Sequence, residues 1–146
     1  MKYFSTILAF LLVLVVLSPA AVCAQEQDGT TYVIYDDGSY VIIEIAEIQS
    51  RTVSTRIAAK HYTYYDANDV KQWKATVTGT FTYDGTTSQC TAVNTSFTRY
   101  TTTWTLDSVN KNKSGATAFA DFYLSCSIWE TSVRVTVTCD KDGNVT

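Results

Sequence analysis

Trp73-Lys74-Ala75-Thr76-Val77-Thr78-Gly79-Thr80-Phe81-Thr82 is the stretch whose reading decides the fold. Trp73, Ala75, Val77, Gly79 and Phe81 fall on one side, and Lys74, Thr76, Thr78, Thr80 and Thr82 on the other. A period of two sustained over this length is a β-strand with one buried face and one wet face. Threonine's branched Cβ suits a pleated surface that still meets water. Gly79, in mid-strand, marks a bulge or a close backbone contact.

The same alternation recurs on both sides of this strand. Ala116, Ala118, Ala120, Phe122 and Leu124 alternate with Thr117, Phe119, Asp121 and Tyr123, and Val133, Val135, Val137 and Cys139 alternate with Arg134, Thr136 and Thr138. Cys90, Ala92 and Phe97 lie on a Thr/Ser-rich strand, and Trp104 is in phase with Leu106. Turn chemistry separates these runs at Asp66-Ala67-Asn68-Asp69, Asp84-Gly85, Asn110 to Gly115 and Ser125 to Glu130. Further upstream, Thr31 to Tyr35 and Tyr40 to Ile45 flank Asp37-Gly38, the signature of a two-residue hairpin loop. That loop sets Tyr35 opposite Tyr40 and Val33 opposite Ile42, with Ile34 and Val41 on the other face. Both faces of the hairpin are then apolar and need cover. Ala46 to Ala59 has no clean period and reads as a linker. The expectation is an all-β protein of about eight strands, an antiparallel β-sandwich, immunoglobulin-like or similar.

Residues 1–24 read as a secretory leader. Lys2 precedes the apolar run Ile7 to Leu17, Ser18-Pro19 breaks it, and Val22-Cys23-Ala24 presents small residues for cleavage. The apolar run is shorter than the roughly 20 residues a spanning helix needs, so no membrane anchor is expected after cleavage. Cleavage after Ala20 also satisfies the small-residue pattern. The expected organisation is a leader at 1–24, a hairpin and linker at 25–59 and a sandwich body at 60–146, about 122 residues forming one domain. The net charge of −3 and the absence of a basic stripe argue against nucleic acid as a partner.

Export places the cysteines in an oxidising compartment. Cleavage after Ala24 leaves Cys90, Cys126 and Cys139. Cys90 and Cys139 stand in phase with apolar neighbours and are the expected disulfide, while Cys126, next to a turn, is left over. No CxxC spacing points to redox chemistry or a metal site.

Four stretches as a set resemble an uncharacterised family of small secreted β-rich proteins from Gram-positive, clostridia-type bacteria. They are Tyr35-Asp36-Asp37-Gly38-Ser39-Tyr40; Tyr62-Thr63-Tyr64-Tyr65 with Trp73 beyond; Thr78 to Thr86 leading to Cys90; and Thr138-Cys139-Asp140-Lys141-Asp142-Gly143-Asn144. The resemblance spans roughly residues 31 to 146. It implies an extracellular β-protein with paired cysteines near Cys90 and Cys139, and no activity. Cys126 and Trp129 lie outside its pattern.

The chemistry-bearing residues assemble no recognisable catalytic set. Asp140, Asp142 and Asn144 supply oxygens at alternate positions, but Gly143 falls at the fourth place of a calcium loop rather than the sixth, so an Asp/Gly turn is the plainer reading. Asp121 is the one acid on a strand that a carboxylate mechanism could use, and it faces away from the apolar side. His61 has no identifiable nucleophile and orienting acid beside it. Trp73 and Trp104 lie in phase with the core, whereas Trp129, at a turn, is the candidate for an exposed contact. No cofactor or metal is implied. The expected role is binding by a secreted or cell-surface β-sandwich, with a glycan, an envelope component or another protein as partner. The alternatives are a small bacteriocin-like effector and a carboxylate-based hydrolase.

Overall fold

The computed structural model describes residues 21–27, 30–48 and 55–146. The apolar run Ile7 to Leu17 and Pro19 lie outside the described residues, as do 49–54 of the expected linker. The described chain is built of antiparallel strands: β1 (Ala21–Gln27), β2 (Thr30–Tyr35), β3 (Tyr40–Ile48), β4 (Thr55–Tyr65), β5 (Lys71–Tyr83), β6 (Ser88–Arg99), β7 (Thr105–Ser114), β8 (Thr117–Ser125) and β9 (Glu130–Thr138). Eight of them lie between Thr30 and Thr138, as the alternation predicts, and β1 precedes these.

Two sheets result, one of order β1-β2-β3-β4-β5-β6 and one of order β7-β8-β9. Each strand pairs with its neighbour in sequence, so both sheets are meanders without the crossed connections of an immunoglobulin domain. They face each other as a β-sandwich. The small sheet lies over β4, β5 and β6 through contacts of β8 and β9. The inner faces of β2 and β3 therefore project beyond the edge of β9.

In β5, β8 and β9 the core is what the period-two pattern predicts; in β6 the register shift beside Cys90 flips the phase, so Ala92 is exposed and Val93 packs on the core instead. From β5 it takes Trp73, Ala75, Val77 and Phe81, from β8 Ala118, Ala120, Phe122 and Leu124, and from β9 Val135 and Val137. Cys90, Cys139 and Trp104 complete the same cluster. Small residues at Ala58, Ala75, Ala118 and Ala120 let the sheets approach around the larger rings. Gly79 serves this packing directly. A Cβ there would lie 2.4 Å from the Phe81 ring, which folds back across the glycine, and 3.0 Å from the Ala118 methyl. The expected irregularity is also present, one step on, as a register shift between Thr80 and Phe81. The Thr face of β5 is less wet than expected: Thr76 is buried, because β5 runs in the interior of its sheet, flanked by β4 and β6.

Three local expectations are corrected. Ala46 to Ala59 is not a linker where it is described. Ala46 pairs with Ala59 and Ile48 with Ile57 in the β3–β4 ladder, and Ala58 and Ala59 are buried. Cross-strand pairing here overrides a weak pattern. Asn110 to Ser114 is not a turn but the end of β7, pairing with β8 as far as Ser114↔Thr117. Its lysines and asparagines suit an exposed edge strand, where charge discourages pairing with another chain. Only Gly115-Ala116 turns.

The third correction concerns the first hairpin. Tyr35 N–H donates to Ser39 O at 2.8 Å and Gly38 N–H to Tyr35 O at 3.0 Å, which encloses a three-residue loop, Asp36-Asp37-Gly38. Gly38 alone takes the left-handed conformation, at φ 82°, so the loop is a type I turn with a following bulge rather than a two-residue turn. Ile34 consequently faces Tyr40 and Val33 faces Val41. The one-residue change puts Tyr35, Ser39 and Val41 on a common, inward face. On the outer face, Tyr40 stacks on Tyr65 with ring centroids 4.8 Å apart, and its hydroxyl donates to Asp69.

Candidate functional site

A cleft opens where the overhang of the large sheet meets the edge of β9. It encloses about 240 Å³ and is walled by Tyr35, Tyr64, Trp73, Trp104 and Trp129. Val41 and Val133 add apolar surface, and Asp36, Asp37, Ser39 and Thr131 supply the polar groups. Four parts of the chain bring these residues together. The β2–β3 hairpin carries Tyr35 to Val41, β4 and β5 carry Tyr64 and Trp73 as a cross-strand pair, the β6–β7 connection carries Trp104, and the β8–β9 turn carries Trp129.

The rings form walls at several angles. Tyr64 stacks on Trp73 with centroids 5.4 Å apart and planes at 24°, and meets Trp104 edge-on at 5.7 Å and 82°. Trp104 meets Trp129 at 5.9 Å and 46°. Trp73 continues the contact chain inward to Phe97 and then to Phe122 in the core. Offset and edge-on arrangements of this kind stabilise aromatic clusters beyond their buried area, by about 0.5–1.5 kcal/mol per pair. Arg99 donates to the Trp104 carbonyl at 3.3 Å, and Cys126 N–H to the Trp129 carbonyl at 2.9 Å, so both tryptophan backbones are tied down.

Polar groups at the hairpin end are ordered by the loop itself. Asp37 accepts from the Ser39 N–H at 2.9 Å and from the Ser39 hydroxyl at 2.6 Å. The Ser39 hydroxyl bond, then its N–H bond, holds the Asp37 carboxyl below its ordinary pKa. Burial pushes the Tyr35 and Tyr64 phenols up, so both remain protonated and neutral. The indole N–H of Trp73 is buried with no hydrogen-bond partner. Such a group is uncommon in a folded protein and costs stability unless it is satisfied.

Trp129, the candidate for an exposed contact, lies in the β8–β9 turn beside the cleft. It is 47% exposed and stands at the mouth of the cleft, while Trp73 and Trp104 are core residues at 2% and 5% that also line its interior. Tyr35 and the aspartates of the loop carried no signal as site residues in the sequence, because their convergence with Tyr64 and the tryptophans depends on hairpin register and on where the small sheet ends.

The other chemistry-bearing residues lie elsewhere. Asp121 sits opposite Arg134 across β8 and β9 and receives two bonds from it, at 2.6 and 2.8 Å. That pairing holds its carboxyl below the ordinary value, the wrong direction for a general acid. His61 shares a bond of 2.9 Å with Thr76 on the neighbouring strand. Asp140 receives the N–H groups of Asp142 and Asn144 at 2.9 and 2.8 Å and the Asn144 amide at 2.8 Å, so its carboxylate builds the turn. Among the described residues no group of three His, Cys, Asp or Glu side chains is placed to hold a metal ion.

The expected Cys90–Cys139 disulfide is not formed in this structure. The two residues occupy one core cluster, but the Cys90 sulfur points to Ala92 O at 3.3 Å and the Cys139 sulfur to Asp140 O at 3.5 Å. Their backbone N–H groups bond to consecutive carbonyls of one turn, Cys90 to Gly115 and Cys139 to Ala116. Cys126 is half-buried at the β8–β9 turn. No family model matches the chain, and neither a curated protein nor a solved structure matches it.

Proposed function

We propose that the chain is a secreted binding protein whose ligand enters the aromatic cleft. The observation that carries this reading is the convergence there of all three tryptophans of the chain with two buried-edge tyrosines, around a concave space. Ligand sites are typically concave, mostly apolar and equipped with a few placed polar groups. Their usual volumes begin near about 300 Å³, so this cleft suits one small group rather than a long stretch of polymer. Whether free or borne on a glycan, an envelope component or another protein, only the terminal part of such a group enters the cleft.

Because every tryptophan lines the cleft, intrinsic fluorescence reports on it without a label. Titration of the full chain with small-molecule, glycan and envelope-polymer panels should give saturable changes in emission for at least one class. Trp129→Ala should weaken that response while leaving the circular dichroism unchanged, since Trp129 is half exposed. No response across the panels, with folding intact, overturns the reading.

Export is supported by the leader pattern at residues 1–24, and it bears on β1. Cleavage after Ala20 keeps the whole β1–β2 ladder, from Ala21↔Tyr35 to Gln27↔Thr30, whereas cleavage after Ala24 leaves only Gln25 to Gln27 in it. We also propose that Cys90 and Cys139 become linked after export, being packed in one cluster on either side of the Gly115-Ala116 turn. The intact mass of the exported protein, before and after reduction, reads both points. The mass distinguishes cleavage after Ala24, the expected boundary, from cleavage after Ala20; a loss of two hydrogens is expected, and peptide mapping that finds Cys90 and Cys139 fully reduced would remove the link.

A further inference from the structure

We propose that the cleft selects an organic ammonium cation, a quaternary or alkylated ammonium head such as that of choline, rather than a neutral sugar. This deepens the binding reading above and rests on it. Two observations carry the choice.

The first is charge. The cleft is lined by two acids, Asp36 and Asp37, and by no Lys, Arg or His. A shallower depression adjoining it at Thr131 holds Asp107 and Glu130, again with no base among its lining residues. The lining thus presents carboxylates around an apolar opening, with the Arg99 guanidinium held outside it on the Trp104 carbonyl, and low-dielectric walls concentrate such a field. The second is ring geometry. A sugar ring stacks on one flat exposed face, but Tyr64, Trp104 and Trp129 stand at 82° and 46° to one another. Rings inclined in this way wall the cleft on more than one side, and aromatic walls attract quaternary ammonium groups.

The test compares choline with neohexanol, its neutral analogue carrying carbon in place of nitrogen, and with methyl glucoside, following tryptophan emission of the full chain. Choline should bind at least about 5-fold more tightly than neohexanol, the upper end of what exposed cation–π contacts supply. Asp36→Asn should bring the ratio of choline to neohexanol affinity most of the way to one. Asp36 is exposed at the loop, so this variant leaves the fold alone. Added salt should weaken choline and not neohexanol. Equal binding of choline and neohexanol, or binding of the glucoside alone, overturns the cation and leaves the cleft as a binding site. Silence of all three probes at millimolar concentration overturns the cation, and the broader panels then decide the cleft. If choline binds, a trimethyllysine peptide and phosphatidylcholine vesicles show whether the head group is best presented on a protein or on a lipid, and Asp36 dependence in either arm supports the assignment.

Discussion

Gly79 and His61 show how much one position can decide. Gly79 was legible as special from its place in an alternating strand, but the reason is the Phe81 ring lying over it, 2.4 Å from where a Cβ would be. Gly79→Ala must displace that ring within a close-packed core, at a cost of about 1–3 kcal/mol. Urea denaturation followed by tryptophan emission reads this, and an unchanged midpoint would show that the ring moves freely. His61 is the only histidine of the chain. Burial, then the charge of Lys74, lowers its pKa below 6.5, with Glu44 opposing. As pH falls, the unfolded chain takes up this proton before the folded one. Stability is therefore expected to be level above about pH 7.5, to decline through the unfolded value near 6.5, and to stop declining once folded His61 is protonated. His61→Gln should flatten that window; an equal slope in the variant would assign it to another group.

Among the elements, the turns explain where the acids of this chain are used. Asp37, Asp66, Asp84 and Asp140 each accept backbone N–H groups from residues just downstream. This is the local Asx chemistry that makes aspartate a turn residue, and it was legible in the Asp-Gly and Asp-Ala-Asn-Asp signals. Loop length was not legible. Asp37-Gly38 looks like a two-residue loop, yet Asp36 joins it, and the extra residue changes which side chains share a face. The folded-state pKa values of Asp37, Asp84 and Asp140 lie below 3.8, each through hydrogen bonds its carboxylate accepts. The stability these turns contribute is complete above the unfolded value and is lost as pH falls through the folded values. Urea midpoints of His61→Gln should thus hold steady from pH 7 to 5 and drop below about pH 4. Asp140→Asn should lose less between pH 5 and 3 than its parent; an identical acid profile would show that this turn contributes nothing.

For the whole molecule, the unequal sheets are the decisive feature. A three-stranded sheet over a six-stranded one leaves part of the larger sheet's inner face uncovered, and the cleft lies along that step. The aromatic chain from Trp129 through Trp104, Tyr64 and Trp73 to Phe97 and Phe122 runs from the mouth of the cleft into the shared core. Cleft and core should therefore unfold together. Phe122→Ala, which empties a fully buried position, should cost about 3–5 kcal/mol. In this variant and in the parent, tryptophan emission and far-ultraviolet circular dichroism should report one coincident transition, as a single cooperative domain requires. An earlier transition in emission alone would separate the cleft from the core.

The sequence by itself determined the class of the fold, the buried faces of β5, β8 and β9, and the aspartate turns at Asp66 and Asp84. Period-two alternation is a local property, and a side chain's face follows from its parity once a strand exists. It also marked Trp129 as exposed, because a turn lies outside any buried face. Only the tertiary structure decided that Tyr35 joins Tyr64 and Trp73 on one face, that 55–59 is strand and 110–114 no turn, and that the small sheet stops at β9. Those outcomes depend on register and on sheet width, which are set by pairing energies between segments distant in sequence. A site made at the step between two sheets has no signature in either strand alone.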